Sequence, residues 1–344
     1  MSIFELVTSE ALVSYWTSKQ QEVENLLGEE LFPDQQKLGL DLKWIKGSQG
    51  LPVVLKPSAY DVVALKRDRI GFEKVSTEMP FFKESTMIDE ELRQQLNMVM
   101  ESGNKVYIDS IMTRVFDDEI RLLNGARAQR ERMRMSLITT GGISISANGQ
   151  DYEYDYGLKE YQQKDAAKAW SDPTADINAD IEAWQDAVED ETGIRPSRMI
   201  VSPKTYRYFR ENNKIKAAIW GNTSNAPIND TEAVSYLEKE LNLKIVKYSK
   251  KYIDESGAIK QYMPDDTVSL LPDGYLGTGW FGTTPEQSDL MAGAAANVSI
   301  TDTGVAVTTS KKIDPVNVDT KVSMIYLPSF EAIDNILIAD VSGT

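Results

Sequence analysis

The 344 residues suffice for one large domain or two of ordinary size, and 41% apolar with 26% charged residues describes a chain that folds rather than a disordered one. Histidine and cysteine are both absent, which excludes imidazole bases, thiolate nucleophiles, disulfides and the usual zinc ligands; catalysis would have to rest on carboxylates, hydroxyls or lysine, or on oxygen-ligated magnesium or calcium. A formal charge of -16 opposes adhesion to free nucleic acid or anionic membranes.

The start, Met1-Ser2-Ile3-Phe4-Glu5-Leu6, lacks a basic segment followed by an apolar one, and no apolar run reaches the roughly 18 residues that would span a bilayer. Secretion and membrane insertion are therefore not expected. The Asn-x-Ser/Thr triplets at Asn222, Asn229 and Asn297 then read as chance matches.

Leu12, Trp16, Val23 and Leu27 predict one amphipathic helix over 9–27, with Ser9 as N-cap, Gly28 as C-cap and Phe32-Pro33 as the stop. Strand-like runs follow at 40–45 and 60–65, separated by Gly47, Gly50, Pro52 and Pro57. Leu40, Leu42 and Trp44 share a face but are too few for a core, so the segment is expected to lie along another surface or subunit. A helix at 89–100 precedes, after Gly103, a longer one to about Ile138, with Ile108, Ile111, Val115, Leu122, Ala126, Met133 and Leu137 at helical spacing. It would be about 50 Å long, and Gly125 could kink it.

Gly141-Gly142 ends that helix. Alternating Ile143 and Ile145, the dipeptide Asn148-Gly149, then alternating Tyr152, Tyr154 and Tyr156 predict a hairpin. Asp172-Pro173 offers a cap for a helix whose buried face is Ile177, Ile181, Trp184 and Val188, ending at Gly193. A strand at 198–201, a Ser202-Pro203 cap with a helix to about Asn212, a helix at about 231–241 and strands at 244–248, 259–263 and 267–271 follow. This order suggests a compact α/β or α+β domain, and 298–341 reads as strand-rich.

Two motifs invite sharper readings. Gly277-Thr278-Gly279-Trp280-Phe281-Gly282 fits G-x-G-x-x-G, but Thr283-Thr284 and Pro285 argue against the helix that dinucleotide binding requires, leaving a glycine-rich loop. Asp151, Glu153 and Asp155 mimic the start of a calcium loop, yet Tyr156 and Gln162 stand where Gly and Glu are needed, leaving solvated acids on a hairpin.

The sequence resembles the lambda-type major capsid proteins of tailed phages, which share the Hong Kong 97-type capsid fold. The resemblance lies in segment order and in Met79-Pro80-Phe81-Phe82-Lys83-Glu84, Asp172-Pro173-Thr174 with Asp176-Ile177, Ser202-Pro203-Lys204 with Phe209-Arg210, Met263-Pro264-Asp265-Asp266-Thr267, and Met324-Ile325 with Leu327-Pro328. It implies an α+β fold with an N-arm at 1–38, an E-loop at 39–85, a P-domain at 86–164 (long spine helix plus β-sheet and hairpin), an A-domain at 165–312 and a C-terminal return to the P-domain at 313–344. Arm and loop would bury their apolar residues on neighbouring subunits.

The function so implied is a shell subunit forming hexamers and pentamers of an icosahedral head around double-stranded DNA, bound without sequence specificity. A separate scaffolding protein, a portal at one vertex and a decoration protein would be its partners, with assembly in the host cytoplasm and residence in the virion. An acidic wall would not obstruct the moving genome. Arg121, Arg127, Arg130, Arg132 and Arg134 are expected to form ion pairs within the shell, with the acids between Asp151 and Glu191 as candidate partners, rather than to meet DNA. Some members of the wider fold family weld subunits through a lysine and an asparagine, for which Lys46, Lys56, Lys66 and Asn317 are the candidates; lambda-type members lack that chemistry. No catalytic, cofactor-binding or metal residue is expected. The rivals are an encapsulin-type compartment holding a cargo enzyme, and a carboxylate-based hydrolase.

Overall fold

The computed structural model describes residues 7–20, 25–46, 73–88, 90, 94, 98, 105–147, 149–221, 227–293, 297–313 and 316–343. The first helix, α1 (Ser9–Gln20), is capped by Thr8, whose Oγ1 accepts the Ala11 N–H at 3.2 Å, and not by Ser9. Leu27–Leu31 is a separate short helix, α2, with Gly28 inside it rather than closing the first. The side chain of Glu29 accepts the Leu26 N–H at 3.1 Å and so caps this turn.

Strands β1 (Asp34–Gln36), β2 (Asp41–Lys46), β3 (Glu73–Glu78) and β4 (Phe81–Ile88) follow, with β2 and β3 paired in a two-stranded sheet. The expected strand at 60–65 and its punctuating glycines and prolines lie outside the described residues. Of the expected helix at 89–100, Glu90, Gln94 and Met98 are described as helical and exposed.

Helix α3 (Lys105–Thr140) passes through Gly125 without interruption. Val115, Met133 and Leu137 are buried as expected, while Leu123 is buried and Leu122 and Ala126 only partly, so the inward face departs from the expected one in the middle of the helix. The hairpin is as predicted: β5 (Gly142–Ala147) pairs with β6 (Gln150–Asp155), Ala147 faces Gln150, and Gly149 has the positive φ of 72° that the turn needs.

After β7 (Gln163–Asp165), helix α4 (Ile177–Thr192) buries Ile177, Ile181, Trp184 and Val188 and ends on Gly193 at φ 74°. Its cap is Asp176 and not Asp172, which instead accepts the N–H of Thr174 at 2.8 Å in a local turn. Then come β8 (Arg198–Val201), α5 (Pro203–Glu211) capped by Ser202, α6 (Asn213–Trp220) and α7 (Asp230–Glu240). Strands β9 (Lys244–Lys247), β10 (Lys251–Ile253), β11 (Ile259–Gln261), β12 (Thr267–Leu271) and β13 (Thr278–Phe281) precede α8 (Pro285–Met291). The chain closes with β14 (Val298–Thr301), β15 (Val305–Ile313), β16 (Val316–Ser329) and β17 (Leu337–Asp340).

The chain divides into two compact units, the first drawn from Met1–Leu42, Ser76–Arg132 and Thr278–Ser329, the second from Lys43–Val75, Met133–Gly277 and Phe330–Thr344. In the first, a sheet ordered β1-β13-β16-β15-β14, with β4 also on β16, buries Phe281, Val305, Val307, Met324 and Tyr326. Leu12, Trp16, Leu31 and Phe32 are buried within this chain as well. The expectation that the N-terminal segment needs neighbours to cover its apolar residues is therefore corrected for α1 and α2. In the second unit, a mixed sheet β7-β17-β12-β8-β9 shares one core with α4, α5 and α7 around Trp170, Trp184, Met199, Phe209, Leu237 and Leu270. Alternation of helices and mixed-direction strands in both units is the α+β architecture the sequence implied.

Candidate functional site

The arginines of α3 form a cationic helix end of the kind that nucleic acid or a partner would bind. Arg127 meets both oxygens of Glu29 at 2.7 Å, a bidentate pair. Arg130 reaches Asp34 at 3.2 Å and Asp302 at 2.8 Å while its guanidinium lies 5.3 Å from the centre of the Phe281 ring. Gly28 offers its N–H to the buried carboxylate of Glu131 at 3.0 Å. Arg127, Arg130 and Glu131 of α3 and Gly28, Glu29 and Asp34 thus form a clamp inside the first unit.

The partners of Arg127 and Arg130 are therefore Glu29, Asp34 and Asp302 of the same chain, and not the acids between Asp151 and Glu191. Arg121 pairs with Asp118 on the exposed side of the helix, and Arg134 is fully buried. Burial on this scale withdraws Arg127, Arg130 and Arg134 from phosphate contact.

Glu119 is a different kind of group. It is buried beside Thr320, and desolvation pushes its carboxyl up to about 7; the Thr320 hydroxyl opposes the shift, while Asp118 and Asp319 add to it. Such a proton-holding acid is what a hydrolase would need. It sits on a packed helix face, and Glu286 of α8 is already engaged by Lys321 at 2.6 Å and by the Ser323 hydroxyl at 2.8 Å.

In the second unit, the structure brings together two of the sequence motifs that carried the resemblance. Ser202 donates to Asp265 at 2.7 Å, Tyr208 donates to Asp266 at 2.7 Å, Lys204 pairs with Asp266 at 2.5 Å, and the Asp266 N–H donates to Thr205 at 3.0 Å. Asp266 has φ 60°, a conformation the cluster holds in place. Ser202 is occupied as a cap, and Asp266 holds Lys204 protonated by raising its pKa. The arrangement locks a helix start onto a turn and activates no nucleophile.

A depression of about 490 Å³ lined by Ser197, Glu238, Asn242, Leu243 and Lys244 contains one carboxylate, whose Oε1 already accepts the Ile245 N–H at 2.9 Å. The paired acids of a glycosidase are not found there. Among the described residues no acidic group of three or more is placed to hold a metal ion, and no helix is long and apolar enough to cross a membrane. Asp151, Glu153 and Asp155 are exposed on β6, as solvated acids.

The G-x-G-x-x-G stretch is not a loop: Thr278–Phe281 is strand β13, paired with β16. A side chain at Gly279 would strike Asp34 and Tyr326, and one at Gly282 would strike Ile325 and Met79. These glycines admit neighbouring side chains, leaving no phosphate cradle. The helix that Thr283-Thr284 and Pro285 were expected to forbid does follow, because Thr284 caps it and proline suits its first position. Asn317 is buried, its amide donating to Met87 Sδ at 3.5 Å. Lys56, Lys66 and the side chain of Lys46 lie outside the described residues.

A family model described as phage major capsid protein E matches residues 8–341. No curated protein matches the chain. Among solved structures, a prophage protein of E. coli CFT073 assigned as a capsid protein is 20% identical over 78% of this chain and 79% of its own, with a TM-score of 0.54. A phage-related protein from Bordetella bronchiseptica RB50 is 12% identical over 98% of both chains, with a TM-score of 0.57.

Proposed function

The chain belongs to the phage major capsid protein E family, and from that premise we propose how its parts build a head. It is a structural subunit of a phage capsid, not an enzyme; it associates with copies of itself to form the shell and resides in the virion. The observation that carries this is the family match across 8–341, on a fold shared with the prophage protein.

The finer reading is ours. Copies close into hexamers and pentamers of an icosahedral shell, assembled in the host cytoplasm around a separate scaffolding protein, with a portal at one vertex and a decoration protein on the outside. Residues 1–38 act as the N-arm, 39–85 as the E-loop, 86–164 as the P-domain, 165–312 as the A-domain and 313–344 as the return to the P-domain. Double-stranded DNA fills the interior without sequence-specific contact, a reading supported by the charge of -16 and by the internal pairing of Arg127 and Arg130. No catalytic, cofactor or metal residue enters this account.

Electron microscopy of particles from an expressing or lysed culture, combined with nuclease treatment, tests it. Icosahedral particles with nuclease-protected DNA are expected from the phage, and empty ones from the chain expressed alone. Small shells holding a foreign enzyme would favour a cellular compartment instead.

A further inference from the structure

We propose that the β10–β11 ribbon is a docking prong that seats on the acidic outer face of α4 in a second copy of the chain; the inference rests on the shell reading above. The two strands form a sheet of their own, and within it Ile253 stands directly opposite Ile259. These side chains are 71% and 70% exposed. One exposed isoleucine is ordinary, whereas two held side by side at the end of a ribbon form a surface that water disfavours.

The ribbon is organised without outside help. The Asp254 carboxylate accepts from the Ser256 N–H at 3.0 Å, the Ser256 hydroxyl at 2.6 Å and the Ala258 N–H at 2.9 Å, closing the tip. Tyr252 stacks on Tyr262 with ring centres 4.8 Å apart, bracing the base. A prong already ordered loses little entropy on docking.

Charge selects the seat. Residues 244–260 hold five lysines against Asp254 and Glu255, in a chain whose total is -16. Residues 151–191 hold thirteen acids against three lysines. Helix α4 turns its apolar face inward and leaves Glu182, Asp186, Glu189 and Asp190 exposed, alongside Ala179 and Ala183. Arg195 answers Asp186 and Glu189. Glu182 and Asp190 remain to meet Lys251, which shares the isoleucine face of the ribbon, with the small alanines leaving room for the isoleucines. Ribbon against ribbon would set lysine on lysine, so the contact joins unlike patches, head to tail, as a closed ring requires.

The chain has no cysteine, so an engineered pair reports without background. Particles of the full chain carrying Ile253→Cys and Ala183→Cys together are oxidised and separated under denaturing, non-reducing conditions. A ladder of covalent multimers is expected from the double variant and single-chain bands from each single variant. Intact particles without a ladder overturn the proposal, as does a dimer from Ile253→Cys alone. Should the double variant form no particles, charge exchange decides: Lys251→Glu is expected to lower particle yield at least about tenfold, and adding Glu182→Lys with Asp190→Lys to restore it to within about threefold. Yield unmoved by the first substitution, or unrestored by the added pair, overturns the proposal. No particles from the unsubstituted chain would strike the shell reading itself, a separate failure.

Discussion

Arg130 touches Asp34, Asp302 and Phe281 at once, which makes it the residue whose loss the first unit should feel most. Arg130→Ala leaves two largely buried carboxylates without their guanidinium, a change that costs about 3–5 kcal/mol when a buried pair is broken. A lower urea midpoint at unchanged slope is expected, and an unchanged midpoint would show that the clamp contributes nothing. Glu119 makes the opposite prediction. Its folded carboxyl titrates at about 7, above its ordinary 4.5, so the folded state holds a proton that the unfolded state releases, and stability falls as pH rises through that window. Glu119→Gln should gain on the order of 2–3 kcal/mol over the native chain at pH 8 and nothing at pH 4, read from denaturation at both values.

Residue roles set by distant partners were not legible in the sequence. Gly28 resembled a helix stop because its actual partner, Glu131, is 103 residues away. The acids that pair with Arg127 and Arg130 lie 98, 96 and 172 residues off, so abundance of acids in the following segment pointed to the wrong ones.

Several elements were legible where a period met a local punctuation mark, although the same agreement at Ser9 and Gly28 misled over 9–27. The α4 face, the Ser202-Pro203 start of α5 and the β5–β6 hairpin all have both. Helix α8 starts on a Thr-Pro pair equivalent to α5's Ser-Pro, and the same proline that breaks a helix interior suits its first position. At α4 two aspartates stood four residues apart, and only the chain's path chose Asp176 over Asp172. Two glycines around the hairpin separate turn geometry from packing. Gly149 has φ +72° in open space, so Gly149→Ala should cost roughly 1 kcal/mol. Gly141, which closes α3 at φ +74°, has Leu158 where a side chain would go, so Gly141→Ala should cost roughly 1–3 kcal/mol more. Equal thermal shifts for the two would contradict the packing argument.

For the whole molecule, absent histidine and cysteine narrowed the chemistry without naming a function. Segment order did more, because the motifs it strung together, such as Ser202-Pro203-Lys204 and Met263-Pro264-Asp265-Asp266-Thr267, fold into one lock in the second unit. The sequence could not reveal that Leu12, Trp16 and Phe32 are covered by their own chain; a short amphipathic stretch looks the same whether its cover comes from the same copy or the next.

The central claim is that this chain is built to make a shell from copies of itself. Negative-stain microscopy of the purified full chain, with sedimentation of the same sample, tests it most directly. Closed particles of uniform size that sediment far ahead of the subunit are the predicted result; only soluble monomers with hydrolytic turnover would contradict it.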